Sequence, residues 1–317
     1  MRYRTIAVFL SLLLIFGCNS IKTKNLQQLV NIKIPRRSEI KNIHFFPQEA
    51  YQCGPAVLSM ALVWSGVQVT PDTVAPAVFT PSLQGSLQSA IIGATRRHGR
   101  VAYPISNLNE MIQELAAGYP VIVFQNLGLS WLPVWHYSLV IGYDLTDNLI
   151  ILHSGKLARK HLSLSTFKRT WARGNHWGLL VLRPNILPVT AEEDLYISAV
   201  IGLERAQRWR EALKSYLTAL NKWPDNYTAH IGLGNCYYAM GDLKEAEVIF
   251  RGITLHFPNE GPAFNNLAQV LLDQGKFDEA LDNINKAIRI EGPLIEQYQK
   301  TLKEIQIKKN TEVMSNN

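Results

Sequence analysis

The chain has 317 residues, of which 47% are hydrophobic and 18% charged, with a formal net charge of +7. That length gives room for two domains of ordinary size, and the composition excludes a disordered chain. Basic residues are scattered from Arg2 to Lys309 with no long run, which excludes a nucleic-acid footprint and leaves a weak attraction to anionic surfaces.

Two positive charges, Arg2 and Arg4, precede an apolar run from Ile6 to Phe16 and then Gly17-Cys18-Asn19-Ser20. This is the pattern of a secretory signal, too short to span a bilayer as a helix. Ile15-Phe16-Gly17-Cys18 resembles the bacterial lipobox, although Phe16 is bulkier than the small residue usual there. The resemblance implies cleavage after residue 17, acylation of Cys18, and a lipid anchor in the cell envelope. By resemblance to Gram-negative lipoproteins, Asn19 in place of Asp favours the outer membrane, facing the periplasm. Residues 1–18 thus read as the lipoprotein signal with its Cys, and the polar residues 19–42 as a tether.

A first domain is expected over 43–185. Val57, Met60, Ala61 and Trp64 fall on one helix face, Pro55 suits the first helical position, and Gly66 suits its end. Cys53 therefore sits at or just before a helix N-terminus, where unpaired N–H groups stabilise a thiolate. Packing is the bland alternative, since free cysteine is usually buried. Leu87, Ala90, Ile91 and Ala94 mark a second helix, and Leu108, Met111, Ile112 and Leu115 a third. Strands follow at Val121–Phe124, His136–Tyr143, Leu149–His153 and Trp177–Leu182, with turn residues Asp144 to Asn148 between the second and third. Helices first and antiparallel strands after is an α+β order.

From about Thr190 the texture is repetitive. Trp209, Leu243 and Phe277 are each 34 residues apart, as are Glu211, Glu245 and Glu279, and Ala212, Ala246 and Ala280. A 34-residue period with a small residue in the second helix and Pro224 and Pro258 at repeat ends is the tetratricopeptide signature. Gln207 takes the slot that Gly241 and Gly275 occupy, so the first repeat is degenerate. An all-α superhelix over 190–307 with a capping helix is expected, followed by a disordered tail at 308–317. Cys236 falls on a repeat helix, where packing explains it.

A thiol at a helix start becomes a catalyst when a histidine deprotonates it and a third group orients that histidine. His136 opens a strand more than 80 residues downstream, although a structural role at a strand end is open to it too. Gln48–Leu58 (Q-E-A-Y-Q-C-G-P-A-V-L) and His136–Asp144 (H-Y-S-L-V-I-G-Y-D) resemble the bacteriocin-processing cysteine peptidases, the family 39-like group. A nearer resemblance is to bacterial lipoproteins that join such a domain to tetratricopeptide repeats, and Thr170–Gly178 is similar to that subgroup as well. The resemblance implies a papain-like fold, with Cys53 as nucleophile and His136 as its base. It implies Gln48 as the oxyanion-hole amide, Gln52 being the alternative. The family places an acid or Asn at the end of the strand after the His strand. Here folding the hairpin about Thr146-Asp147 brings Ser154 to that slot, with no charge to stabilise an imidazolium.

His153, His161 and His176 have no metal-ligand spacing, and no phosphate loop is present, so no metal or cofactor is expected. The function implied is a lipid-anchored cysteine peptidase whose repeats bind a peptide or protein partner. Alternatives are an inactive papain-like scaffold serving as adaptor, and a thiol acyltransferase or amidase.

Overall fold

The computed structural model describes residues 34–49 and 51–315. The signal, Cys18 and the tether as far as residue 33 lie outside the described residues. The described residues from Arg36 onward form one compact unit.

The first element corrects the boundary of the tether. Strand β1 (Arg37–Glu39) pairs antiparallel with the far end of a long strand, setting Arg37 opposite Asp144. The Arg37 guanidinium is ion-paired with the buried Asp144 carboxylate, and Leu145 N–H donates to the Arg36 carbonyl at 2.8 Å. The folded domain thus begins before Ile43, because a short polar strand held by ion pairs of Arg37 with Asp144 and Asp147 and of Glu39 with Arg159 carries no apolar pattern.

Helix α1 (Cys53–Trp64) starts at the cysteine itself, two residues before the expected proline start, and is followed by the turn at Gly66, φ +91°. Helix α2 (Pro71–Val78) follows. A two-stranded hairpin comes next, β2 (Phe79–Thr80) with β3 (Gly85–Ser86). Helix α3 (Gln88–Arg97), strand β4 (Val101–Ile105) and helix α4 (Leu108–Ala116) lead into β5 (Val121–Asn126). The long strand is β6 (Trp135–Asp144), followed by β7 (Leu149–Ser154), β8 (Leu157–Ser163), helix α5 (Leu164–Ala172) and β9 (Gly178–Leu182). The sheet is antiparallel in the order β4-β9-β5-β6-β7-β8, with β1 beside the end of β6.

Alternation along the strands divides two cores. Ile122, Leu139, Ile141, Leu179 and Val181 face α1, α2 and α3, whose Leu58, Leu62, Val74 and Ile91 are fully buried against them. The other face, bearing Val121, Val123 and Gln125, is covered by α4 and α5 and, over β4, by the first repeat helix.

Among the described residues seven helices follow: α6 (Glu193–Arg205), α7 (Trp209–Leu220), α8 (Tyr227–Ala239), α9 (Leu243–His256), α10 (Gly261–Asp273), α11 (Phe277–Ile290) and α12 (Ile295–Ser315). The 34-residue period has a direct cause. Trp209, Leu243 and Phe277 each open the second helix of a pair, and Ala212, Ala246 and Ala280 are fully buried where helices cross. Gly241 and Gly275 turn the corner within their pairs at φ +82° and +76°, and Gln207 makes the same turn at +56°.

The expected tail is corrected. Helix α12 runs on to Ser315, seated by buried Tyr298 and Ile305 and by ion pairs Lys308–Asp273 and Lys309–Asp278. The polar composition of 308–315 hid a helix whose anchors are charges.

Candidate active site

Helix α1 and strand β6 bring the two reactive side chains to one cleft. Cys53 is the first residue of α1, and His136 the second of β6. Gly54 makes the approach possible. A Cβ there would stand 2.2 Å from Ser86 Oγ, so only glycine lets the β2–β3 hairpin close over the helix start. The cleft encloses about 520 Å³ between that hairpin and the β5–β6 connection, and Gln48, Cys53, Ser86, Trp135, His136 and Gly155 are among its lining residues. Phe124 and Trp135 stack at 5.0 Å and 10° to form an aromatic wall.

The imidazole is held from behind. Its Nε2 lies 3.0 Å from Ser154 Oγ at the end of β7, a placement fixed by the β6–β7 register that sets Leu139 opposite His153. With Nε2–H donating to Ser154, Nδ1 keeps its lone pair for a proton from the cleft.

Gln48 is buried and doubly tied. Its Oε1 accepts from Gly155 N–H at 2.9 Å, while its Nε2 donates to the Tyr137 carbonyl at 3.3 Å. An amide nitrogen carries two hydrogens, so one donor remains for an incoming oxygen. Gln52, the alternative, forms the N-cap of α1 through its backbone and is not among the cleft-lining residues. Asp144 and Asp147 stand at the opposite end of β6, where Asp144 Oδ1 accepts the Thr146 and Asp147 amides and closes the turn.

The electrostatics differ from the expected thiolate. Burial pushes the Cys53 thiol up, and this outweighs the backbone amides of Tyr137, Gly54 and Cys53 that favour its anion. Burial, and next the charge of Lys160, push His136 down to about 4. Among the described residues no hydrogen bond joins the Cys53 sulfur to the His136 ring; the ring's bond is to Ser154. The resting pair is therefore neutral thiol and neutral imidazole, since desolvation of two charges costs more than one helix end returns.

Two structural roles become visible only in the fold. Ser86 closes the cleft wall opposite Trp135 and accepts the Tyr137 hydroxyl on its carbonyl at 3.0 Å. Its signal was Gly54, whose missing side chain requires a close neighbour. The turn after α5 carries Gly174, where a Cβ would meet the Phe124 carbonyl oxygen at 2.1 Å, so the Thr170–Gly178 stretch supports the aromatic wall. Cys236 is fully buried, its thiol pushed up to about 12 by burial, and takes part in packing alone.

Residues 40–176 match the family model described as "Peptidase_C39 like family", and residues 203–271 and 261–292 match tetratricopeptide repeat models. The chain thus joins a C39-like peptidase domain, built on an antiparallel sheet, to a run of tetratricopeptide helices. It is similar to a putative C39-like peptidase from Bacillus anthracis, with 14% identity, 46% of this chain and 97% of that one covered, and a TM-score of 0.39. It is also similar to the peptidase domain of Streptococcus ComA, a bifunctional ABC transporter, with 21% identity, 44% and 99% covered, and a TM-score of 0.37. Its helices are similar to the Yersinia enterocolitica type III secretion translocator chaperone SycD, with 20% identity, 37% and 93% covered, and a TM-score of 0.35. Among curated proteins it is 28% identical to human tetratricopeptide repeat protein 13 over 160 residues, 47% of this chain and 16% of that protein's length.

Proposed function

We propose that the protein is a lipid-anchored cysteine peptidase of the bacterial cell envelope, facing the periplasm from the outer membrane, whose repeats hold a peptide or protein partner. One observation carries this reading: Cys53 and His136 line the same cleft, with the imidazole fixed on its far side by Ser154.

On this reading, carbonyl binding draws sulfur and ring together. Nδ1 takes the thiol proton as the sulfur adds to the carbonyl carbon, and returns it to the leaving amine. The free Gln48 N–H and the Cys53 backbone N–H stabilise the developing oxyanion. Water then hydrolyses the acyl-enzyme. An amine acceptor in place of water would make the protein an acyltransferase, which product analysis separates.

The test is hydrolysis of a peptide library, with each cleaved bond identified by mass. Cys53→Ala is expected to remove cleavage to background. A second reading, an inactive scaffold, is favoured by the neutral pair and the uncharged Ser154. A peptide electrophile that labels Cys53 no faster than a free thiol would establish it.

A further inference from the structure

The connection between β5 and β6 turns its apolar groups outward. Residues 127–135 read L-G-L-S-W-L-P-V-W, without a charge. Leu129, Trp131 and Leu132 are 55%, 78% and 61% exposed. Of the nine residues only Val134 and Trp135 line the cleft, so binding in the cleft leaves the three tip residues unexplained.

The tip is held open by its own hydrogen bonds. Asn126 Oδ1 accepts from the Gly128 and Val134 amides, both at 2.9 Å, and Leu127 N–H donates to the Val134 carbonyl at 2.8 Å. Leu129 and Leu132 exchange backbone bonds at 3.1 and 3.2 Å. Gly128 permits the closure, because a Cβ there would stand 2.3 Å from the Leu132 carbonyl oxygen. A tip fixed in this way presents its apolar groups to solvent.

The neighbouring segments are poor in acidic residues. Residues 148–191 contain seven Lys or Arg and no Asp or Glu, and residues 115–143 contain no charged side chain at all. Arg173 marks the base of the tip, donating from Nε and Nη2 to the Asn126 carbonyl at 3.2 and 2.8 Å. Arg169, one turn earlier, is exposed. Apolar residues with Trp among them, backed by basic charge, suit the boundary between headgroups and acyl chains of an anionic bilayer.

We infer that the 127–135 loop is a membrane-docking tip, with Leu129, Trp131 and Leu132 entering the bilayer interface and Arg169 and Arg173 against anionic headgroups. This does not depend on the chemistry assigned to Cys53. It would give the protein a second contact with the surface, oriented by the fold, with the mouth of the cleft close to the headgroups.

The experiment uses the full chain carrying Cys18→Ser, so that no acyl group contributes, and the N-terminal segment is common to every variant. Co-sedimentation is measured with phosphatidylcholine vesicles, alone or with about a third phosphatidylglycerol. The expected result is binding that favours the anionic vesicles and falls about tenfold or more in Trp131→Ser/Leu132→Ser, which removes two apolar side chains from the interface. Brominated lipid is expected to quench tryptophan emission in the parent and to lose that component in Trp131→Phe, which leaves the packing untouched. Equal vesicle binding by parent and loop variant overturns the proposal. So does a loop variant whose only defect is peptide hydrolysis, which assigns the tip to substrate, or one whose only change is loss of self-association, which assigns it to a second copy.

Discussion

Ser154 occupies the position that decides how strong a base His136 can be. Its hydroxyl lies 3.0 Å from the ring Nε2 and orients the ring, but it adds no charge to hold an imidazolium. Ser154→Ala removes one neutral hydrogen bond, and kcat/KM is expected to fall about tenfold. Ser154→Asp is expected to recover that loss and exceed the parent, because a carboxylate stabilises the ring as it takes the proton. The two rates together distinguish an orienting role from mere filling of space. The depressed ring sets the pH behaviour as well. His136 stays neutral until about pH 4, so the acid limb of kcat/KM is expected near pH 4 and not near the ordinary histidine value of about 6.5. The sign for stability follows from proton counting. The unfolded chain takes up a proton at this histidine as pH falls below about 6.5 while the folded chain refuses it, so the site destabilises the fold progressively from there toward pH 4. Between pH 7 and 4.5, denaturant unfolding of the parent is expected to lose about 2 kcal/mol more than that of His136→Asn.

Among the elements, the corner between α6 and α7 carries a measurable strain. Gln207 sits at φ +56° where its two counterparts are glycines, and a side chain in the left-handed region costs about 1 kcal/mol. Gln207→Gly is expected to raise stability by about that amount in a denaturant titration, offset in part by the freedom glycine gains when unfolded. What was readable from the sequence follows from which elements have an apolar face. Helices α1, α3 and α4 and strands β5, β6, β7 and β9 each bury a contiguous or periodic apolar set, and the repeats announce themselves by identical crossings at Ala212, Ala246 and Ala280. Strand β4 was missed because Pro104 interrupts it, which an edge strand tolerates, and among the described residues β4 pairs only with β9. Strand β8 was missed because Leu157–Ser163 lies exposed at the other edge. Helix α2 holds Pro76 in its interior. The placement of Cys53, His136 and Gln48 around one cleft, and of Ser154 beside the ring, was legible from motif and hairpin register. Their charge states were not, since these depend on burial by residues far away in the sequence.

For the molecule as a whole, the covalent order of the domains and their packing disagree. Helix α6 opens the repeats, yet it lies on β4, where Tyr103 meets Tyr196 at 6.5 Å between ring centres. Glu114, fully buried on α4, accepts the Thr190 amide at 2.7 Å and its hydroxyl at 2.5 Å, pinning the connecting segment. Burial pushes the Glu114 carboxyl up, with the Thr190 bonds opposing. Gly202 completes the junction, since a Cβ there would meet Arg96 Nε at 2.2 Å. A chain ended at residue 185 leaves β4 uncovered and Glu114 unpartnered. Such a fragment is expected to bind a hydrophobic dye and to melt about 10 °C or more below the full chain.

This shared helix sets a rule for anyone recombining the two halves. Splicing at the short 185–190 connection, the obvious place on a domain diagram, transplants a piece of one hydrophobic interior along with the foreign repeats. A graft that respects the physics keeps α6 with its host sheet and joins the new array at the Gln207 corner.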